Sequence, residues 1–298
     1  MEPKNYNPKN LKYKMGCKRD PPHADGPRLM RLEEVAQLPP SYLIPDNTPV
    51  ENQEDLGSCT ANAADNASKI RADIVTGNYF NGSRLAFYYL ERQHDGALDQ
   101  DCSQEPFVHD CGSSLSTAAW VLENYGIAPE TLWPYDESKY DTQPDQNYMD
   151  EAKKHETTKA TRLDGTDENL TIANVKAALV NNYPVMFGIN CYNEIFNVGA
   201  DGNVSMPTAG EQPVGGHALC IIGYDDTHQN LDGSSGAVLF KNSWGLGWGC
   251  QKDGTPSGGS TNGGYAWLSY PYFLDTDDDV GDCWAIINEN DFPTLSNK

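Results

Sequence analysis

Apolar residues recur at spacings of three and four from Cys59 to about Val75, with Ala63, Ala67, Ile70 and Ile74 on one face, which predicts a helix. Ser58 stands where an N-cap hydroxyl would accept from the first turn. Leu85–Arg92 and Leu115–Tyr125 carry the same period, and the second runs into Gly126, a residue suited to close a helix. Ile172–Asn181 is again helical, but most of the second half changes character. Pro184–Asn190, Ala218–Tyr224, Ala237–Lys241, Tyr265–Ser269 and Trp284–Asn288 are short apolar runs bounded by turn residues, and these predict strands. Gly249–Gly264, rich in Gly, Ser, Thr and Pro, predicts a long loop. An α+β chain follows, with a mainly helical part over 38–160, a mainly β part over 161–298 and a cleft expected between them. Residues 1–37 read as an appendage. Lys12–Asp25 is polar and broken by Pro21 and Pro22, and only Leu29–Leu38 has helical spacing.

Composition narrows the function classes. With 38% hydrophobic and 21% charged residues in 298, the chain has the make-up of a globular protein with a sizeable core. A formal net charge of -22 argues against a basic surface for nucleic acid or an anionic membrane. No run approaches the roughly 20 apolar residues needed to span a bilayer, and the first ten residues lack an apolar run of the signal-peptide type. The eight cysteines are too sparse for a disulfide scaffold. Cys102 and Cys111, in a polar loop, are placed to pair in an oxidising compartment, whereas Cys191 and Cys220 sit in apolar runs and read as buried thiols. No Cys or His pair has close ligand spacing, so neither a metal nor another cofactor is expected.

Three segments carry candidate chemistry. Cys59 opens a helix, where the macrodipole and free N–H groups favour thiolate, and Gly57 before it leaves room for a substrate carbonyl. Gly215-Gly216-His217-Ala218 places a histidine at a strand start with one side left open by glycine, a suitable seat for a general base. In Asn242-Ser243-Trp244-Gly245 the Asn can accept from the far ring nitrogen of that histidine, leaving the near one for the sulfur, and Trp244 can cover the bond. A lone cysteine or histidine of this kind is more often structural; the combination is what points to nucleophilic catalysis.

Taken in the order Cys, His, Asn, the segments resemble the papain family of cysteine peptidases, and more its microbial or viral branches than the animal lysosomal enzymes. Gln53, Ser58-Cys59, Gly216-His217-Ala218 and Asn242-Ser243-Trp244-Gly245 match the family's motifs in turn. The resemblance implies a helical domain and a β-barrel-like domain with the active site between them. It implies that Cys59 is the nucleophile, His217 its partner, Asn242 the orienter of His217, and that Gln53 donates to the oxyanion beside the Cys59 N–H. Protein or peptide substrates would lie along Gly57, Gly112, Ser113, Gly216 and Trp244. Two departures stand out: Leu56 replaces a cysteine that many members use in a disulfide, and Thr60 replaces the usual aromatic. Cys111-Gly112-Ser113-Ser114 keeps only part of the glycine pair that lines the cleft, and Asp225–Gly236 reads as an inserted loop. Residues 1–37 stand where members carry an inhibitory propeptide. They are read either as a short pro-segment that occupies the cleft or as a tail.

Overall fold

The structure is a computed structural model that describes residues 13–20, 38–103, 106–157, 159–164, 168–257, 261–274 and 282–286. The short apolar runs of the second half pair as one antiparallel sheet. Its order is β4 (Ala160–Arg162), β9 (Cys283–Ile286), β5 (Val185–Cys191), β6 (Gly215–Gln229), β7 (Ser235–Lys241) and β8 (Tyr265–Ser269), with β2 (Ser41–Leu43) paired to β6 off this path. The expected β-barrel-like shape is therefore an open sheet: β4 and β8 remain its two ends among the described residues. The β8 end is partly covered, since Trp267 donates its N–H to Gly202 and accepts from Val204 of a preceding loop, which blunts an otherwise exposed edge. A separate parallel pair joins β1 (Cys17–Lys18) to β3 (Ser113–Ser114).

The central strand β6 is longer than its apolar run. It continues to Gln229 and returns through a turn to Ser235, so much of the expected inserted loop is a hairpin extension. Thr227 and Gln229 suit a strand, and Gly233, at φ 84, supplies the left-handed turn residue. Ile189 of β5 lies opposite His217 of β6, near the start of that strand.

The helices fall where the spacing places them, at Cys59–Thr76, Arg84–His94, Leu115–Asn124 and Glu168–Val180, with a shorter one at Gln146–Ala152. Cys59–Thr76 is buried on every side through its first three turns, and its alanines allow it to run between the sheet and its neighbours. Ser58 occupies the N-cap position but makes no capping bond. Its hydroxyl is taken up by the Tyr135 hydroxyl at 2.7 Å and by Asn62 Nδ2 at 3.1 Å. Cys102 and Cys111 form a disulfide, and Cys191 and Cys220 are buried free thiols. The helical spacing at Leu29–Leu38 and the last residues of Trp284–Asn288 lie largely outside the described residues. No described helix is long and apolar enough to cross a membrane.

One buried ion pair braces the strand that leads into Asn242. Lys241 Nζ, fully buried, stands 3.0 Å from Asp46 Oδ2 and donates to Thr48 Oγ1 at 2.7 Å, while Tyr265 donates its hydroxyl to the same Asp46 oxygen. Although burial opposes it, Lys241 and the hydroxyl donors hold the Asp46 carboxyl below its ordinary range. Asp46→Ala leaves an unpaired buried ammonium and is expected to cost about 3–5 kcal/mol. A denaturation midpoint within error of the parent would overturn this reading.

Candidate active site

Cys59 forms the first turn of its helix and is completely buried. That helix packs against β6, the strand that carries His217. His217 Nε2 bonds to Asn242 Oδ1 at 2.8 Å, and that oxygen also accepts from the Ser243 N–H at 2.7 Å. Because the Asn oxygen is committed as an acceptor, Nε2 carries the proton and Nδ1 is left as the basic nitrogen. Nδ1 is buried and makes no hydrogen bond among the described residues. Trp244 stacks on the imidazole at 4.5 Å between ring centroids, with planes 20° apart, and shields the His217–Asn242 bond from water.

Gln53 completes the cluster from the opposite wall. Its Oε1 accepts from Ser243 Oγ at 2.6 Å, and its backbone N–H donates to the Ser243 carbonyl at 2.8 Å. With Oε1 taken, the amide nitrogen is turned inward, where it donates to Leu56 O at 2.9 Å and Lys14 O at 3.2 Å. Ser243 was visible in its motif but had no stated task; holding Gln53 gives it one.

Two further residues escaped the sequence reading because they sit in no motif. Asp110, itself buried, accepts the Gly57 N–H at 2.9 Å and the Tyr88 hydroxyl at 2.6 Å, and the Tyr88 oxygen accepts the Gly112 N–H at 2.9 Å. This relay ties Gly57 and Gly112, which both approach Gly16, to one carboxylate. Burial raises the Asp110 carboxyl, against the pull of these donors.

The cleft is filled by residues of the chain itself. Tyr13 stacks on Trp244 at 4.4 Å with planes 3° apart, and the Lys14 carbonyl takes the Gln53 amide. The Gly16 carbonyl accepts the Ser113 N–H at 2.8 Å. The approach is close enough to need glycine on both sides. A Cβ on Gly16 would stand 2.0 Å from the Gly57 carbonyl oxygen, one on Gly112 1.9 Å from the Gly16 oxygen, and one on Gly216 2.1 Å from the Cys17 oxygen. Gly57, Gly112, Ser113, Gly216 and Trp244 thus all line the path of residues 13–17.

The site is dry in this state. Burial pushes the Cys59 thiol up to about 12, with backbone donors from Ala218 and Gly16 pulling weakly the other way. Burial likewise pushes the His217 imidazole down to about 4, opposed by its bond to Asn242. The pair is therefore neutral thiol and neutral imidazole while residues 13–17 cover it. Among the described residues no group of three or more His, Cys, Asp or Glu side chains is arranged to hold a metal ion.

Comparison with known proteins agrees with this geometry. A family model described as papain family cysteine protease matches residues 45–254. A peptidase C1-like protein of Acanthamoeba polyphaga mimivirus is 30% identical over 98% of this chain and 84% of its own length. Among solved structures, xylellain, a cysteine protease from Xylella fastidiosa, is 25% identical, covers 92% of this chain and 96% of its own, and superposes with a TM-score of 0.73. The proform of a ragweed pollen cysteine protease shares the fold at 21% identity, covering 85% of this chain and 68% of its own with a TM-score of 0.56.

Proposed function

Because the chain belongs to the papain family of cysteine proteases, we propose that it is a latent endopeptidase whose nucleophile is Cys59 and whose N-terminal segment blocks its own cleft. The observation that carries this reading is an extended stretch of peptide, residues 13–17, lying across Cys59 with one of its carbonyls on the Gln53 amide. A cleft that holds one polypeptide backbone in this way is suited to hold another as substrate.

In the open enzyme, His217 takes the thiol proton and the sulfur attacks a substrate carbonyl carbon. The carbonyl oxygen becomes an oxyanion within reach of the Gln53 side-chain amide and the Cys59 backbone N–H. His217 then gives its proton to the departing amine, the C–N bond breaks, and a thioester to Cys59 remains. Water, deprotonated by the same imidazole, attacks the thioester and releases the acid. Asn242 holds the ring through each step, and Trp244 keeps water off that hydrogen bond.

The segment is bound in a form that resists this chemistry. Its β1 residues run parallel to β3 at Ser113–Ser114. Residues 13–17 would then act as an inhibitor and survive in place.

Turnover of an unfolded protein such as casein, followed by product masses, tests the proposal. Protein freed of residues 1–37 after folding is expected to cleave internal bonds, and the Cys59→Ala variant to leave them intact. Products capped by an added amine would show acyl transfer competing with hydrolysis. Failure of the freed enzyme to cut any substrate would leave a peptide-binding protein as the better reading.

A further inference from the structure

The cleft-filling segment ends at a carboxylate site that its inhibitory contacts do not need. Asp20 has a fully buried side chain. Its Oδ1 accepts the Ser116 N–H at 2.7 Å, in the first turn of the Leu115–Asn124 helix, where the helix dipole favours an anion. Its Oδ2 accepts the Trp284 indole N–H at 2.7 Å, and Arg162 Nη1 lies 4.0 Å from the same oxygen. The backbone completes the fit, since the Asp20 N–H donates to Asp282 Oδ2 at 2.8 Å, and Arg162 in turn bonds Asp282 Oδ1 at 3.1 Å.

The donors come from separate parts of the fold. Ser116 belongs to a helix of the first half, while Trp284 and Arg162 are direct cross-strand partners on β9 and β4. Their convergence is a property of the folded body, and the ligand is a residue of the segment. Charge selects it. Two N–H donors and a guanidinium suit a carboxylate, and Asp282 requires that the same residue bring a backbone N–H. An internal aspartate meets both demands. A free carboxylic acid lacks the N–H, and an amide side chain would turn an N–H toward the indole or the Ser116 amide. Asp20 is the one acidic residue among residues 13–20.

We propose that Ser116, Trp284 and Arg162 form a carboxylate-binding site for a peptide aspartate, and that Asp20, its resident occupant, is the lock that holds the segment across Cys59. This inference rests on the latent-enzyme reading and adds the residue that keeps the enzyme closed. The Lys14 carbonyl contact is available to most sequences and the Gly16 position admits only glycine, whereas the carboxylate adds a charged anchor that this body recognises. A peptide spanning residues 13–20 should therefore bind the opened enzyme in trans.

The test uses the full chain, with iodoacetamide alkylation of Cys59 at pH 7 as the readout. Losing charge-assisted bonds at a buried carboxylate shifts an open–closed equilibrium by roughly ten- to a hundredfold, so Asp20→Asn should be alkylated faster by about that factor. Lys18→Ala, at an exposed position of the same segment, should react like the parent. A second measurement needs no folded variant. Added to parent protein already freed of residues 1–37, the residue 13–20 peptide should block alkylation, and the same peptide carrying Asp20→Asn should be roughly ten- to a hundredfold weaker. Equal reactivity of Asp20→Asn and parent, with equal potency of the two peptides, overturns the lock. If freeing the chain of residues 1–37 still accelerates alkylation in that case, the latent-enzyme reading survives without it. If it does not, both fall.

Discussion

Freeing the folded chain of residues 1–37 is expected to raise the alkylation rate of Cys59 at pH 7 by about ten- to a thousandfold. In the covered state the thiol sits at about 12, so roughly one molecule in 10⁵ carries thiolate at pH 7. Once residues 13–17 leave, water returns and the burial that raised Cys59 and lowered His217 is relieved. Helix N-terminus and imidazolium then favour thiolate, and cysteines in such settings ionise at about 3.5–7.5. Thiolate population therefore rises by about four to five decades. Part of that is returned because a less basic thiolate is a weaker nucleophile, by about two to three decades for this change.

The pH profile gives the sharper signature. The closed chain should react about tenfold faster for each pH unit up to pH 9, as a thiol far below its pKa must. The open chain should run flat from about pH 5 to 8. Closed Cys59 and His217 hold one proton between them as a thiol, and the open pair holds one as an imidazolium. Segment release through this pair thus exchanges no net proton near neutrality, so the open–closed equilibrium itself should not vary with pH across that window, and the slope of the closed chain's profile reports the covered thiol. Identical profiles before and after removal would show that residues 13–17 do not control the nucleophile.

Much of this was legible in the chain. The helix at Cys59, the strand carrying His217 and the Asn242 turn each follow from local spacing, because their residues are neighbours in sequence. What local pattern cannot show is a contact set by the closed fold. Asp110 reaches Gly57 across 53 positions, and Asp20 reaches Trp284 across 264. The Tyr88 relay and the Asp20 cradle were illegible for that reason. Ser58 failed differently: it stood in the right place for a cap, but Tyr135 and Asn62 compete for its hydroxyl. Lys12–Asp25 reads as part of a polar appendage, yet polarity does not separate a tail from a segment that fills a cleft and packs Tyr13, Met15 and Cys17 against the core.

Substitution of Gln53 should move inhibition and catalysis in opposite directions, and this separates its two uses. In the opened enzyme Gln53→Ala removes one of two proposed donors to the oxyanion. Loss of such a donor costs about 10²–10³ in kcat, with KM little changed, because the interaction strengthens only as charge develops on the oxygen. In the covered chain the same amide holds the Lys14 carbonyl at 3.2 Å, so its removal loosens the segment and Cys59 should alkylate faster. Ser243→Ala leaves the amide in place but frees Oε1 from its 2.6 Å hydrogen bond, allowing the group to rotate out of line. A smaller loss of kcat, about fivefold, is expected, since one neutral hydrogen bond is worth about 1 kcal/mol. The pH dependence of kcat should stay that of the parent in both variants, because neither touches the Cys59–His217 proton balance. A shifted profile would place Gln53 in the ionisation of the pair, and an unchanged kcat for Gln53→Ala would remove it from the oxyanion site.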